Sequence, residues 1–142
     1  MNSSSFHNKC NYQGPTITLY KNDKGYIFGG YSSIPWTSDG TYHPAPESFI
    51  FTLTNSHGIE PSKFPTKNEK EGVSHNSNYD PTFGTHCDIA TNSDFVNSDS
   101  SSDFPCRYQD ILNKGKSILT GNFDNNNGTF RLKEVEVFKL VK

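Results

Sequence analysis

Long apolar runs are missing from this chain. No stretch of the sequence is apolar enough to span a bilayer, and none resembles the apolar core of a secretion signal. The expectation is therefore a soluble protein of the cytoplasm, with no membrane insertion. A surplus of one charge is missing as well. Thirteen Lys and Arg stand against fifteen Asp and Glu, a formal net charge of −2. That balance offers neither a basic surface for nucleic acid nor a polybasic run for anionic lipid. Cysteine is scarce and odd in number. Cys10, Cys87 and Cys106 have no paired spacing and do not read as a secreted disulfide framework. One bridge and one free thiol stay open if the segment belongs to an exported protein. Helical periodicity is absent too: the nearest candidate, Arg107–Lys114, has room for about two turns. No internal repeat occurs.

What remains is aromatic and β-patterned. Only 31% of the 142 residues are apolar, and eleven Phe with seven Tyr carry much of that fraction. Large rings let a polar chain of this length build a single core. Thr16 to Tyr20 alternates, with Ile17 and Leu19 on one face and Thr16, Thr18 and Tyr20 on the other. Asn22-Asp-Lys-Gly25 supplies a turn. Tyr26–Tyr31 is apolar on both faces, as in a central strand covered on both sides. Phe49, Phe51 and Leu53 line one face of a third strand.

Further strands are expected over Thr85–Thr91 and Ser117–Phe123, then a tight hairpin at Asp124–Gly128 and a long last strand over Thr129–Val141. Polar connections separate them at Thr37–Pro46, Asn55–Tyr79 and Asn92–Pro105. The expected fold is mostly β: a two-layer antiparallel β-sandwich with long loops and little helix. Ile17, Leu19, Phe28, Phe49, Phe51, Leu53, Val135 and Val137 are expected to be largely buried.

Several segments resemble the TLDc domain family in the family's order. Gly14-Pro-Thr-Ile-Thr-Leu-Tyr20, Phe28-Gly-Gly-Tyr-Ser-Ser-Ile-Pro-Trp36 and Glu47-Ser-Phe-Ile-Phe51 are similar to its central hairpin region. Asp80-Pro-Thr-Phe-Gly-Thr-His-Cys-Asp-Ile89 is similar to its "GPTFGGGHDLYI" stretch, and Glu134-Val-Glu-Val-Phe138 to its closing "LEVW/F". Phe6-His-Asn-Lys-Cys10 resembles the approach to the first motif in protist-type members. The likeness runs from Phe6 to Leu140. It implies a TLDc-like β-sandwich over residues 6–142 behind a polar tail of residues 1–5. It also implies a shortened member lacking the family's N-terminal helices and first strand, with a sheet edge left open. By the same resemblance the chain is a protein-binding module linked to oxidative-stress protection and to regulation of the vacuolar proton pump, with pump subunits as partners.

Residue chemistry leaves other readings beside that one. Glu47 and Glu136 match glutamates of the family pattern, and a carboxylate pair could run general acid–base hydrolysis. His86 and Asp88 share a strand face and could offer two metal ligands. Zinc needs a third or fourth, from His75 or Cys106. The family places His directly before Asp, where this chain has Cys87. Asp94, Asp99 and Asp103 lack the ligand order of a helix–loop–helix calcium site. Trp36, Phe83 and Asp88 are the candidate binding residues. The expectation is a non-catalytic binding module with no cofactor and no metal. A hydrolase using Glu47 and Glu136 is the first alternative. A structural subunit that self-associates through an open sheet edge is the second.

Overall fold

The computed structural model describes residues 3–67, 72–75, 81–84, 87–92, 94, 97–121 and 128–140. Its main element is a five-stranded antiparallel sheet built from β1 (Thr16–Asn22), β2 (Ile27–Ser32), β4 (Phe49–Thr54), β5 (Ser62–Pro65) and β10 (Leu132–Lys139), in the order β10-β1-β2-β4-β5. The predicted turn joins β1 to β2: Gly25 takes a left-handed φ of +86° and its N–H donates to the Asn22 carbonyl at 3.0 Å. A second antiparallel sheet of short strands, β3 (Tyr42–His43), β6 (Val73–Ser74) and β7 (Thr82–Phe83), forms the opposing layer. A third pair, β8 (Ser100–Ser101) with β9 (Thr129–Phe130), closes one end. The fold is mostly β, antiparallel and poor in helix, as the patterning predicts.

The two layers meet through aromatic rings on glycine. A Cβ on Gly30 would collide with the Phe83 ring, so the bare backbone of β2 lets β7 press directly onto the sheet. The Tyr20 hydroxyl donates to the Pro81 carbonyl at 2.6 Å, and Trp36 Nε1 donates to Thr16 Oγ1 at 2.8 Å. The Trp36 ring stands edge-on to Phe83 at 5.7 Å and to Phe6 at 5.6 Å.

This places the core on the other side of the sheet from the one expected. The buried residues of β1 are Thr16, Thr18, Tyr20 and Asn22, and β4 buries Ile50 and Thr52 beside Phe51. Of the eight residues expected inside, Phe28, Phe51 and Val135 are buried, whereas Leu19, Phe49 and Val137 are half-buried. Ile17 and Leu53 are 36% and 41% exposed. Hydrophobic alternation marks two faces; which face is covered depends on what distant segments bring to it. Here Phe6 and Phe83 pack on the polar-looking side, while Trp36 bonds the Thr16 hydroxyl and the Pro81 carbonyl the Tyr20 hydroxyl.

Other expectations also change. The polar tail is partly helical, because Ser3–Ser5 open α1 (Ser3–Cys10). That helix buries Phe6 against Trp36 and carries His7 and Lys9 in its last turn, the end a cation stabilises. The strand expected at Ser117–Phe123 is replaced over Ser117–Thr120 by one buried helical turn, α2. Gly121 ends it at φ +75° with its N–H on the Ser117 carbonyl. A short apolar run such as Ile118-Leu119 does not separate helix from strand. Arg107–Lys114 is not helical. The last strand breaks at Arg131, whose carbonyl accepts the Asp23 N–H, leaving β9 and β10 as separate pieces. The Asp124–Asn127 turn lies outside the described residues.

Candidate functional site

The two glutamates are not brought together. Glu47 is exposed in the turn before β4, and Glu136 is exposed on β10 opposite Leu19. Strands β1 and β2 lie between β10 and β4. Three strand spacings of about 4.8 Å put the carboxylates on the order of 14 Å apart or more, beyond the roughly 5 to 10 Å that glycosidic chemistry uses.

Asp88 is brought to a different task from metal binding. It is fully buried, and its carboxylate accepts the backbone N–H groups of Cys106, Arg107 and Tyr108 at 2.9, 2.7 and 3.1 Å. Burial raises its pKa, and those three donors oppose the rise. Its neighbour Cys87 is bonded to Cys106, with Cα atoms 6.1 Å apart, which leaves Cys10 as the free thiol. The cysteine pattern thus holds one bridge, a pairing the spacing left open. Carboxylate and disulfide together tie the turn after β7 to residues 106–108. The Tyr108 hydroxyl in turn donates to the Gly72 carbonyl at 2.6 Å. Asp88 is a structural clasp. Its expected metal partner, His86, lies outside the described residues.

Trp36 and Phe83 are fully buried at the heart of the layer contact. With Asp88 also buried, none of the three candidate binding residues presents a surface to a partner. Large rings in family-typical places serve the core here. Asp99, in the acidic loop, is paired with Arg131 at 3.1 Å.

The outer face of the five-stranded sheet is the largest feature that sequence reasoning misassigned. The register sets out its rows. Phe138, Ile17, Tyr31, Phe49 and Pro65 lie side by side across β10, β1, β2, β4 and β5. The next row is Glu136, Leu19, Gly29, Phe51 and Lys63. Glu134 and Lys21 begin a third row as a cross-strand pair. Phe49 touches Tyr31 and Phe51 at ring separations of 5.2 and 6.2 Å, and Lys63 Nζ sits 4.8 Å from the Phe49 centroid.

Ile17, Leu53 and Phe138 remain 36%, 41% and 51% exposed. The face is therefore an apolar surface with two glutamates on one border and Lys63 on the other, a pattern associated with recognition surfaces. The signal was present in the sequence, in the alternation of Ile17/Leu19 and of Phe49/Phe51/Leu53. It was assigned to the core because apolar residues usually lie there.

The sheet also ends on β10, an eight-residue edge strand that pairs only with β1 among the described residues. Lys133, Glu134, Glu136 and Lys139 charge that edge, a common guard against strand addition. No helix among the described residues is long and apolar enough to cross a membrane.

Comparison with known proteins agrees with the motif order. A model of the TLDc domain matches residues 1–141. A zebrafish (Danio rerio) protein described as MTOR-associated protein MEAK7 is 41% identical over 44 residues, 31% of this chain. The matched stretch spans a tenth of that relative's length.

Proposed function

Since the chain belongs to the TLDc domain family, we propose that it is a non-catalytic protein-binding module whose contact surface is the outer face of its five-stranded sheet. The observation that carries this reading is the exposure of Ile17, Phe138 and Leu53 on the same sheet face as the Tyr31–Phe49 ring contact. An apolar face with charged borders gains free energy when a complementary surface removes it from water. The partner must present an apolar strip with basic groups toward Glu134 and Glu136 and acidic groups toward Lys63. The family resemblance nominates a subunit of the vacuolar proton pump, met in the cytoplasm, with protection against oxidative damage as the associated role. A relative described as associated with another protein supports a module that works by association. The separation of Glu47 from Glu136 favours binding over hydrolysis.

Calorimetric titration of the purified chain with the isolated soluble sector of the proton pump tests the reading. Wild type binds, whereas Ile17→Asp and Phe138→Asp each weaken binding by about tenfold or more, because a charge is then desolvated without a partner. No binding by wild type, or equal binding by both variants, contradicts it.

A second reading has one observation in its favour. Turning a second copy about a two-fold axis parallel to β2 sets Glu136 of each copy against Lys63 of the other, because these residues end the same row. Sedimentation across a wide concentration range gives a constant mass near 15.9 kDa if the partner is a different protein. A dimer that Lys63→Glu disrupts would replace the pump subunit with a second copy of this chain as the occupant.

A further inference from the structure

A cluster of ligand-type side chains lies away from both the outer face and the Asp88 clasp. Asp39 comes from the loop between β2 and β3, His43 ends β3, and His75 follows β6. One carboxylate oxygen of Asp39 and one ring nitrogen from each histidine lie within 4.8 Å of one another. Backbone bonds fasten the two segments: the Gly40 N–H donates to the His75 carbonyl at 2.9 Å, and the His75 N–H to the Thr41 carbonyl at 3.0 Å. Pairing of Tyr42 with Ser74 and of His43 with Val73 continues the same ladder. The cluster is built on paired backbone on both sides.

Its chemistry is that of a ligand set. Thr37 Oγ1 lies 2.7 Å from Nδ1 of His75, the outer contact that fixes the ring of a metal-bound histidine. The other nitrogen, Nε2, is buried without a hydrogen-bond partner on a side chain only 1% exposed. The tautomer that donates Nδ1–H to Thr37 leaves Nε2 with a bare lone pair, the form a metal takes. Asp39 Oδ2 and His43 Nε2 stand 2.8 Å apart. Two tetrahedral ligands at metal bonds of about 2.0 to 2.1 Å are about 3.3 Å apart, so this pair opens by roughly half an ångström to admit an ion.

We propose that Asp39, His43 and His75 form a binding site for a divalent transition metal, zinc by ligand type, with water completing a tetrahedral set. Two imidazoles and one carboxylate suit zinc better than calcium or magnesium, which favour all-oxygen shells. The site joins β3 and the loop before it to the end of β6, so the ion acts as a cross-link between them. Asp39 and His43 both reach solvent, so water has access to the cluster.

Titration of the full chain with Zn2+ and with Co2+ tests the site, in a Cys10→Ser background that removes the free thiol. The expected result is one equivalent bound and, with Co2+, the intense visible absorption of a four-coordinate complex. Asp39→Asn and His43→Gln, both at partly exposed positions, each weaken binding on the order of 100-fold or abolish the cobalt band. His57→Gln leaves both unchanged, since His57 bonds Ser117 elsewhere in the fold. Because His75 is buried and its variants are prone to misfold, Asp39→Asn and His43→Gln decide the matter. No stoichiometric binding, or binding that survives both substitutions, overturns the proposal.

Discussion

The two faces of the five-stranded sheet depart from the usual rule of composition, with polar residues buried among Tyr20, Phe28, Ile50 and Val135 on one face and apolar ones open to solvent on the other. The inner face carries Thr16, Thr18, Asn22, Ser32 and Thr52 and is buried. The outer face carries Ile17, Leu19, Tyr31, Phe49, Leu53 and Phe138 and is half open to solvent. Several of these polar residues make their bonds there, Thr16 with Trp36, Ser32 with the Ile34 carbonyl and Asn22 with its turn, whereas the Thr18 and Thr52 hydroxyls are buried without a partner. Asn22 Oδ1 accepts the N–H groups of Lys24 and Tyr26, and its Nδ2 donates to the Thr120 carbonyl at 2.9 Å. Trp36 and Tyr20 supply the apolar area that the hydroxyls lack. The outer face is largely apolar with no covering layer among the described residues, a pattern associated with recognition surfaces.

Substitutions sharpen this contrast, beginning with the inner face. Trp36→Ala removes the ring that touches Phe6, His75 and Phe83. The expected loss is about 3 to 5 kcal/mol, measured by chemical denaturation, and the chain is expected to be largely unfolded if its total stability is near that value. A loss under about 1 kcal/mol would mean that the inner face is not the core.

Reduction of the Cys87–Cys106 bridge comes next. Its sequence separation is 19, and a closed loop of that size is worth about 3 kcal/mol in chain entropy. Because the bridge clasps the inner layer, reduced protein should melt earlier yet, while folded, still bind its partner through the outer face. Loss of binding in step with reduction, below the melting temperature, would break the separation of the two faces. Tyr20→Phe is smaller. It removes the shorter of two donors to the Pro81 carbonyl, the Thr91 hydroxyl remaining at 3.3 Å, at a cost of about 1 kcal/mol. Ile17→Ser and Leu53→Ser are smallest, each within about 0.5 kcal/mol of wild type in stability. Their effect is expected in affinity instead.

Much of this architecture was legible in the chain. Alternation at Thr16–Tyr20 and Phe49–Leu53 marked strands, Asn22–Gly25 marked the turn, and the motif order marked the family. What could not be read was the side on which the second layer lies. That choice rests on contacts between residues far apart in sequence, such as Tyr20 with Pro81 and Gly30 with Phe83. The role of Asp88 was hidden for the same reason, since its three donors come from residues 106–108. His75 was seen as a spare ligand, but its proximity to Asp39 and His43 depends on strand pairing between β3 and β6, two residues long on each side. Such short strands carry almost no periodic signal.

The central claim is that the apolar outer face is open in the free chain and covered by a protein partner. Solvent paramagnetic relaxation of methyl groups in the isotope-labelled full chain measures this directly. In the free protein, Ile17 and Leu53 methyls should relax strongly, while Ile50 and Ile118, buried on the inner side, should not. Addition of the partner should protect Ile17 and Leu53 and leave Ile50 and Ile118 unchanged. Protected Ile17 and Leu53 methyls in the free monomer, or no change when the partner binds, would contradict the account.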